Sequence, residues 1–385
     1  MGTLIEEIFS RKAGQEVSAG EILLLDVDYM MSHDNTTPLA IEAFRKIDKP
    51  IYNKKRIVFH LDHAYPAPNI LAAANHKRIF EFVAEQNLPN LYKQGVCHQV
   101  MIEEGFVKPG YLIIGADSHS NTYGAFGAFG AGLGSTELGV SWTTGKNWFR
   151  VPETIRIEMH GEAQSGVYAK DVMIYIAGLL GMDGATYQSV EFGGSYIESL
   201  PMHARIVFSN MSTEVGAKCG LIAADETTIQ YLENETKAEG PFERLAPENP
   251  QYERVVEVDV SMIAPQISCH PTVDHVKPLA DVEGLPVNEI YIGTCTNGRY
   301  EDVEIVAGIL KGKQAHPQTR VIVTPASNRI YKKAMENGLI EILMDAGCTV
   351  TGAGCGACIG RHGGVLAPGE RALTTMNRNF IGRMG

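Results

Sequence analysis

The amino-acid sequence predicts an α/β protein of more than one domain. Three observations carry this. Short apolar runs alternate with segments of helical period, the wiring of parallel sheets covered by helices. The alternation comes round three times, with polar or Pro-containing breaks between the rounds. The chain has 385 residues, which at roughly 150 per domain makes two or three units, each long enough to bury a core.

In order, residues 22–27, 57–61 and 111–114 read as short buried strands. Residues 70–86 (ILAAANHKRIFEFVAEQ) space apolar side chains three and four apart and read as a helix, as do residues 135–148. The second round is strand 154–159, helix 169–180 and strand 189–192. The third is strand 289–292, helix 302–310, strand 320–323 and helix 328–336. Breaks are expected near Val151 and Pro152, and in the polar, Pro-rich stretch 239–252 continuing through 265–286. The expected domains are therefore 1–152, 153–276 and 277–385.

Composition excludes several functions. Lys and Arg total 33 against 45 Asp and Glu, a formal charge of −12, which argues against a generic nucleic-acid or anionic-membrane surface. An anionic substrate would need a local cationic pocket. No apolar run approaches the ~18–20 residues of a membrane span, and residues 1–12 lack the apolar core of a signal peptide. Seven cysteines is an odd number for a disulfide framework, so a reducing, cytoplasmic setting is expected. Glycine is abundant, 40 of 385 residues. The segment 124–135 (GAFGAFGAGLGS) lacks both the Gly-Lys-Ser/Thr ending of a P-loop and GxGxxG spacing, so it is not read as a nucleotide site.

The strongest chemical signal is in the cysteines. Cys355 and Cys358 form a CxxC inside GAGCGACIG, and Cys295 lies in GTCTNG just after the expected strand 289–292, where α/β sheets carry functional loops. A CxxC alone also fits a redox dithiol or half a zinc site, but a second CxxC and a thioredoxin-like context are both missing. Three thiolates from two loops, with no obvious fourth, suggest an iron–sulfur cluster with one iron left open as a Lewis acid. Cys97, Cys219, Cys269 and Cys348 read as buried small hydrophobes.

The second signal is Asp62-His63, His98 and Asp117-Ser118-His119, with both Asp/His motifs at strand ends. A carboxylate beside an imidazole raises its pKa and fixes its tautomer, which suits a proton donor. Asp117, Ser118 and His119 are not expected to form a hydrolase triad, because neighbours in an extended segment point apart. The third signal is Asn377, Arg378 and Arg383 near the C-terminus. Alone it reads as a solvated basic end; beside a cluster it offers planar forks for a carboxylate.

Together these segments resemble the aconitase superfamily, in the branch of 3-isopropylmalate dehydratase and homoaconitase large subunits. The matching stretches are DHAYPA (62–67), GVCHQV (95–100), GADSHSNTYGAFGAFGAGLGSTE (115–137), SNMSTEVGA (209–217), GTCTNGRYED (293–302), GAGCGACIG (352–360) and NRNFIGRMG (377–385). The resemblance implies three α/β/α domains packed around a 4Fe–4S cluster on Cys295, Cys355 and Cys358, without the superfamily's swivelling domain. It adds Asn210 and Glu214 to the site; from the residues alone Glu214 reads as a helix-surface carboxylate. It implies three pairs, Asp62 with His63, Asp117 with His98, and Glu214 with His119, and assigns Asn377, Arg378 and Arg383 to substrate carboxylates.

The implied activity is a hydro-lyase that dehydrates and rehydrates a 2-hydroxy dicarboxylic acid, with 2-isopropylmalate in leucine biosynthesis as the leading substrate. Homocitrate/homoaconitate, citramalate and dimethylmalate are the alternatives. A separate small subunit carrying the swivelling domain is the implied partner, so the chain alone is expected to be inactive. The family usually runs a few dozen residues past the last arginine motif, so a chain truncated after Gly385 is also expected. Two readings of another kind are a cluster-dependent sensor or RNA-binding protein, against which the charge of −12 argues, and a zinc-bound structural protein.

Overall fold

A computed structural model describes residues 2–385. Three larger sheets, all parallel, lie one in each span of the chain. The first has five strands in the order Leu91–Tyr92, Ile57–His60, Tyr29–His33, Leu112–Gly115 and Phe129–Gly132. Its inner strands are buried, as parallel strands covered on both faces must be. The second orders Cys219–Ile222, Ser189–Gly193, Thr154–His160 and Arg254–Asp259. The third orders Thr349–Val350, Arg320–Thr324, Glu289–Gly293 and Ala372–Thr374. Expected helices form at Ile70–Gln86, Ala169–Leu180 and Asn328–Glu336.

Two expectations fail for local reasons. The strand near residue 22 forms as Ile22–Asp26 but is not buried: it pairs antiparallel with Lys146–Arg150 as a two-stranded ribbon, leaving Ile22 69% and Leu24 66% exposed. The helix expected over 135–148 stops at Thr144, because Gly145 turns left-handed (φ +69°) and returns its N–H to Ser141. Trp148 then lies on the ribbon. A central strand, Tyr29–His33, carries a polar end (YMMSH) that hides it from an apolar-run reading.

The first two spans share a core. Leu221, Ala224 and Leu245 pack with Leu4, Phe9, Phe129 and Trp142. Met202, Ile206 and Leu232 pack with Tyr123 and Phe126. The Gly-rich stretch serves this junction: a Cβ on Gly124 would stand 1.8 Å from the Gly220 carbonyl oxygen. Glycine is needed there for backbone-to-backbone contact. Among the described residues no helix is long and apolar enough to cross a membrane.

Candidate active site

The site is built from loops that leave the C-terminal ends of parallel strands, the usual place for ligands in such sheets. Asp62 and His63 follow Ile57–His60, and Asp117, Ser118 and His119 follow Leu112–Gly115. His98 is in the first turn of the helix Cys97–Glu103. Asn210 ends the helix Met202–Met211, and Glu214 sits in the 3-10 turn Ser212–Val215. Cys295 lies on the short helix Thr294–Asn297 after strand Glu289–Gly293. Cys355 precedes the 3-10 turn Gly356–Ile359 and Cys358 lies within it, and Asn377, Arg378 and Arg383 follow strand Ala372–Thr374.

The fourteen residues singled out above form two hydrogen-bonded groups, of nine and five, bridged into one network by Thr122, whose hydroxyl accepts from Asn210 Nδ2 at 2.8 Å and donates to the His119 carbonyl at 2.6 Å. His63 Nδ1 is 2.8 Å from Asp62 Oδ1. His98 Nε2 is 2.8 Å from Asp117 Oδ1, and His119 Nε2 is 2.9 Å from Glu214 Oε1. Asp117 is a hub: its Oδ2 also lies 3.2 Å from His63 Nε2, and its Oδ1 accepts the His119 N–H at 2.7 Å. Arg378 Nε donates to both Glu214 oxygens at 3.0 and 3.2 Å, and its Nη2 to Ser118 Oγ at 3.1 Å. Asn377 Nδ2 donates to Cys295 Sγ at 3.4 Å and to Asn210 Oδ1 at 3.2 Å. Cys358 Sγ lies 3.8 Å from Asn377 Oδ1 and 3.8 Å from Arg383 Nη2, and Cys355 Sγ lies 3.6 Å from Asp62 Oδ2.

Electrostatics separate the groups. Burial pulls the His63 imidazole down, but the charges of Asp62 and Cys355 and the hydrogen bonds to Asp117 and Asp62 outweigh it, holding His63 well above the usual 6.5. Burial also opposes His119, yet its bonds to Asp117 and Glu214 raise it. Asp117 falls well below the usual carboxylate range: burial pushes it up, and the charge of His98 with the bonds to His119, His63 and His98 brings it down.

Three expectations need correction. Asp117 is extended, but Ser118 and His119 are not: Asp117 caps the 3-10 turn Ser118–Phe126 and so meets His119 through the main chain. Glu214 is no surface carboxylate but 4% exposed, buried against His119 and Arg378. Cys269 is only partly buried.

Sequence reasoning missed an inner layer. His33 stacks on His63 with ring centroids 3.7 Å apart and planes 16° off parallel. Its Nδ1 accepts the Asn35 N–H at 3.3 Å, and its Nε2 faces Asp117 Oδ2 at 3.4 Å. Burial and the charge of His63 pull His33 down to about 4, so it is a neutral donor. Asp34 accepts main-chain N–H groups of the 62–64 turn. The signal was the SHDN of residues 32–35, a further Asp/His motif at a strand end.

The thiols fit a multinuclear group better than a single ion. Cys295, Cys355 and Cys358 are buried and free. Burial and then the neighbouring Cys358 charge push Cys295 up to about 11; burial likewise pushes Cys355 well up. The Cys295 and Cys355 thiolates are thus costly here without a cationic body beside them. A lone zinc would draw its sulfurs within about 4 Å of one another. Among the described residues the one set of three or more such donors within 4.8 Å is His33, Asp34, Asp62 and His63, with no cysteine in it. A cleft of about 510 Å³ borders the site at Asp117 and Ser118, and none of the thiols, site imidazoles or C-terminal arginines lines it.

A model of the aconitase family (aconitate hydratase) matches residues 6–385. The chain belongs to the aconitase family. Membership implies an iron–sulfur centre. Among curated relatives, the 3-isopropylmalate dehydratase large subunit 1 of Methanopyrus kandleri is 42% identical over 386 residues, covering 100% of this chain and 92% of its own. A probable methanogen homoaconitase large subunit of Methanothermobacter thermautotrophicus is 46% identical, covering 99% of this chain and 91% of its own. Among solved structures, Thermococcus kodakaraensis aconitase X aligns over 92% of this chain and 85% of its own with a TM-score of 0.53; at 13% identity this shows a shared aconitase fold alone.

Proposed function

We propose that this chain is the cluster-bearing large subunit of a hydro-lyase that interconverts positional isomers of a 2-hydroxy dicarboxylic acid, with 2-isopropylmalate first and homoaconitate second among substrates. The observation that carries the reading is the convergence of three carboxylate–imidazole pairs, three buried thiols and an arginine fork in one network. Cys295, Cys355 and Cys358 would hold a 4Fe–4S cluster. When bound, the cluster supplies a Lewis-acidic iron that weakens a carbon–oxygen bond of the substrate.

The chain's own residues supply the rest. His63 is kept protonated by the carboxylates at its two nitrogens and delivers the proton that lets the hydroxyl leave as water. His98 and His119 hold Asp117 and Glu214 in place. Glu214 orients Arg378, whose fork, with Arg383 and Asn377, receives a substrate carboxylate. Those cations stabilise the charge that develops when the neighbouring C–H proton is removed. The base that removes it belongs to a small subunit carrying a swivelling domain.

The test is anaerobic cluster reconstitution followed by assay of isopropylmalate, homoaconitate, citramalate and dimethylmalate, with and without a small subunit. Turnover of one acid by the pair and none by the chain alone is the expected result. Sustained turnover by the chain alone refutes the division of labour, and a colourless chain after iron and sulfide are supplied refutes the reading itself.

A further inference from the structure

Lys170 is the second residue of the helix Ala169–Leu180, in the middle span of the chain. A cation in a first turn opposes the positive end of the helix dipole, so the helix itself gives it no reason to be there. Its ammonium reaches across to the C-terminal span and donates to the carbonyls of Thr375 and Met376, each at 3.0 Å.

Those carbonyls immediately precede Asn377 and Arg378. The chain there has just left the edge strand Ala372–Thr374, with Thr375 N–H on the Tyr291 carbonyl as its last sheet bond. From residue 376 to 382 no main-chain N–H pairs with a main-chain carbonyl among the described residues. Secondary structure therefore does not fix the stretch that carries the fork, and side chains must. Thr375 Oγ1 accepts the Gly293 N–H at 3.0 Å at one end of the stretch, and Asn379 Nδ2 donates to Ser268 Oγ at 2.8 Å and the Thr272 carbonyl at 3.2 Å at the other. Asn377 and Arg378 are themselves the groups to be aimed, and Lys170 holds the two carbonyls directly before them.

We infer that Lys170 is a positioning residue, whose ammonium pins the main chain at 375–376 and so aims Asn377 at the thiols and Arg378 at a substrate carboxylate. The inference deepens the function proposed above and rests on it. The fork meets a full carboxylate charge already in the bound substrate, and the charge that develops there only adds to it, so a lost contact raises KM more than it lowers kcat.

The test compares Lys170→Met with Lys170→Arg in the cluster-loaded two-subunit enzyme, and measures hydrogen exchange in the chain. Lys170→Met is expected to raise KM about tenfold with kcat within about threefold, and to speed exchange at 375–380 with the rest unchanged. Lys170→Arg, which keeps the charge and the donors, is expected to bring KM back to within about threefold of the parent. Unmoved KM and exchange overturn the inference, as does a fall in kcat alone with exchange faster throughout. Should Lys170→Met fail to fold, Lys170→Gln carries the same comparison. An inert parent enzyme condemns the proposed function, whereas an active parent with an unmoved variant KM condemns only the role of Lys170.

Discussion

Replacing Asp34 with alanine should loosen the turn that carries Asp62 and His63. Asp34 is 1% exposed. Its Oδ1 accepts the N–H of His63 at 3.0 Å and, more weakly, that of Asp62 at 3.4 Å. Its Oδ2 accepts the N–H of Ala64 at 2.7 Å and faces His76 Nε2 at 3.2 Å. The two short main-chain bonds to an ionised acceptor are each worth about 1.5–2 kcal/mol. Losing both strands buried N–H groups, so Asp34→Ala should cost roughly 3–4 kcal/mol, in the range of other broken buried charge networks.

Asp34→Asn should cost about half as much, because its amide keeps one acceptor but turns a donor toward the Ala64 N–H. The acidity of Asp34 sets the pH window. Burial pushes its carboxyl up, His76 pulls it down by a hydrogen bond, and Asp62 pushes it up again. His63 and His33 tip the balance below the usual 3.8. A depressed carboxyl stabilises the fold above its unfolded value and loses that contribution as pH falls through the folded value. The gap between parent and variant should therefore be full at neutral pH and close only in acid below about pH 4. Urea unfolding gives the magnitude, and hydrogen exchange at the His63 and Ala64 amides gives the location. An alanine variant within about 0.5 kcal/mol of the parent, with both amides still protected, would refute this account of the turn.

Three further outcomes are expected. Glu214→Gln should destabilise the chain most between the usual Glu and His values of 4.5 and 6.5: a lowered Glu stabilises above its unfolded value and a raised His below its own, so the deficit should shrink as pH rises through the raised His119 value, leaving the Arg378 share; a deficit that grows above neutral pH contradicts the pairing. Gly356→Ala should cost about 2–4 kcal/mol, because Gly356 is left-handed (φ +54°) and a Cβ would lie 1.9 Å from the Tyr291 hydroxyl; stability to urea and iron content should fall together, and an unchanged variant would mean the cysteine turn is softer than its packing says. Cys358→Ser should leave the fold intact by circular dichroism but abolish stable cluster colour after reconstitution, and full colour would remove Cys358 from the ligand set.

What the sequence revealed followed periodicity and motif. The helices at 70–86, 169–180 and 328–336 were legible because their apolar faces repeat and their ends carry caps, as Asn69 and Ser327 do. The strand Tyr29–His33 was not legible, because its last residues turn from packing to chemistry: Ser32 and His33 are buried yet polar. The same polarity hid His33 and Asp34. Glu214 was invisible for another reason. Its burial depends on His119 and Arg378, which arrive from positions 95 and 164 residues away, and no local pattern encodes that meeting. Lys170 reads as an ordinary helix lysine until the Thr375 and Met376 carbonyls are seen above it.

The proton inventory explains why this chain, under the proposed function, supplies an acid and not a base. His63 has a carboxylate at each nitrogen, Asp62 at 2.8 Å and Asp117 at 3.2 Å, which leaves no lone pair to accept a proton. His98 is held by Asp117 at 2.8 Å and by the Tyr123 hydroxyl at 3.3 Å. His119 is held by Glu214 at 2.9 Å, with Asp117 at 3.7 Å from its other nitrogen. The carboxylates are committed in turn, Asp117 to imidazoles and a main-chain N–H, and Glu214 to His119 and Arg378. A general base needs an unshared pair within reach of a carbon-bound proton, and this network directs its pairs inward at one another. His63 Nε2, on the longer of its two contacts, is the N–H that a bound hydroxyl can draw from Asp117, so the arrangement suits protonating a leaving hydroxyl and holding a charged substrate still, while the complementary step falls to a group brought in from outside the network.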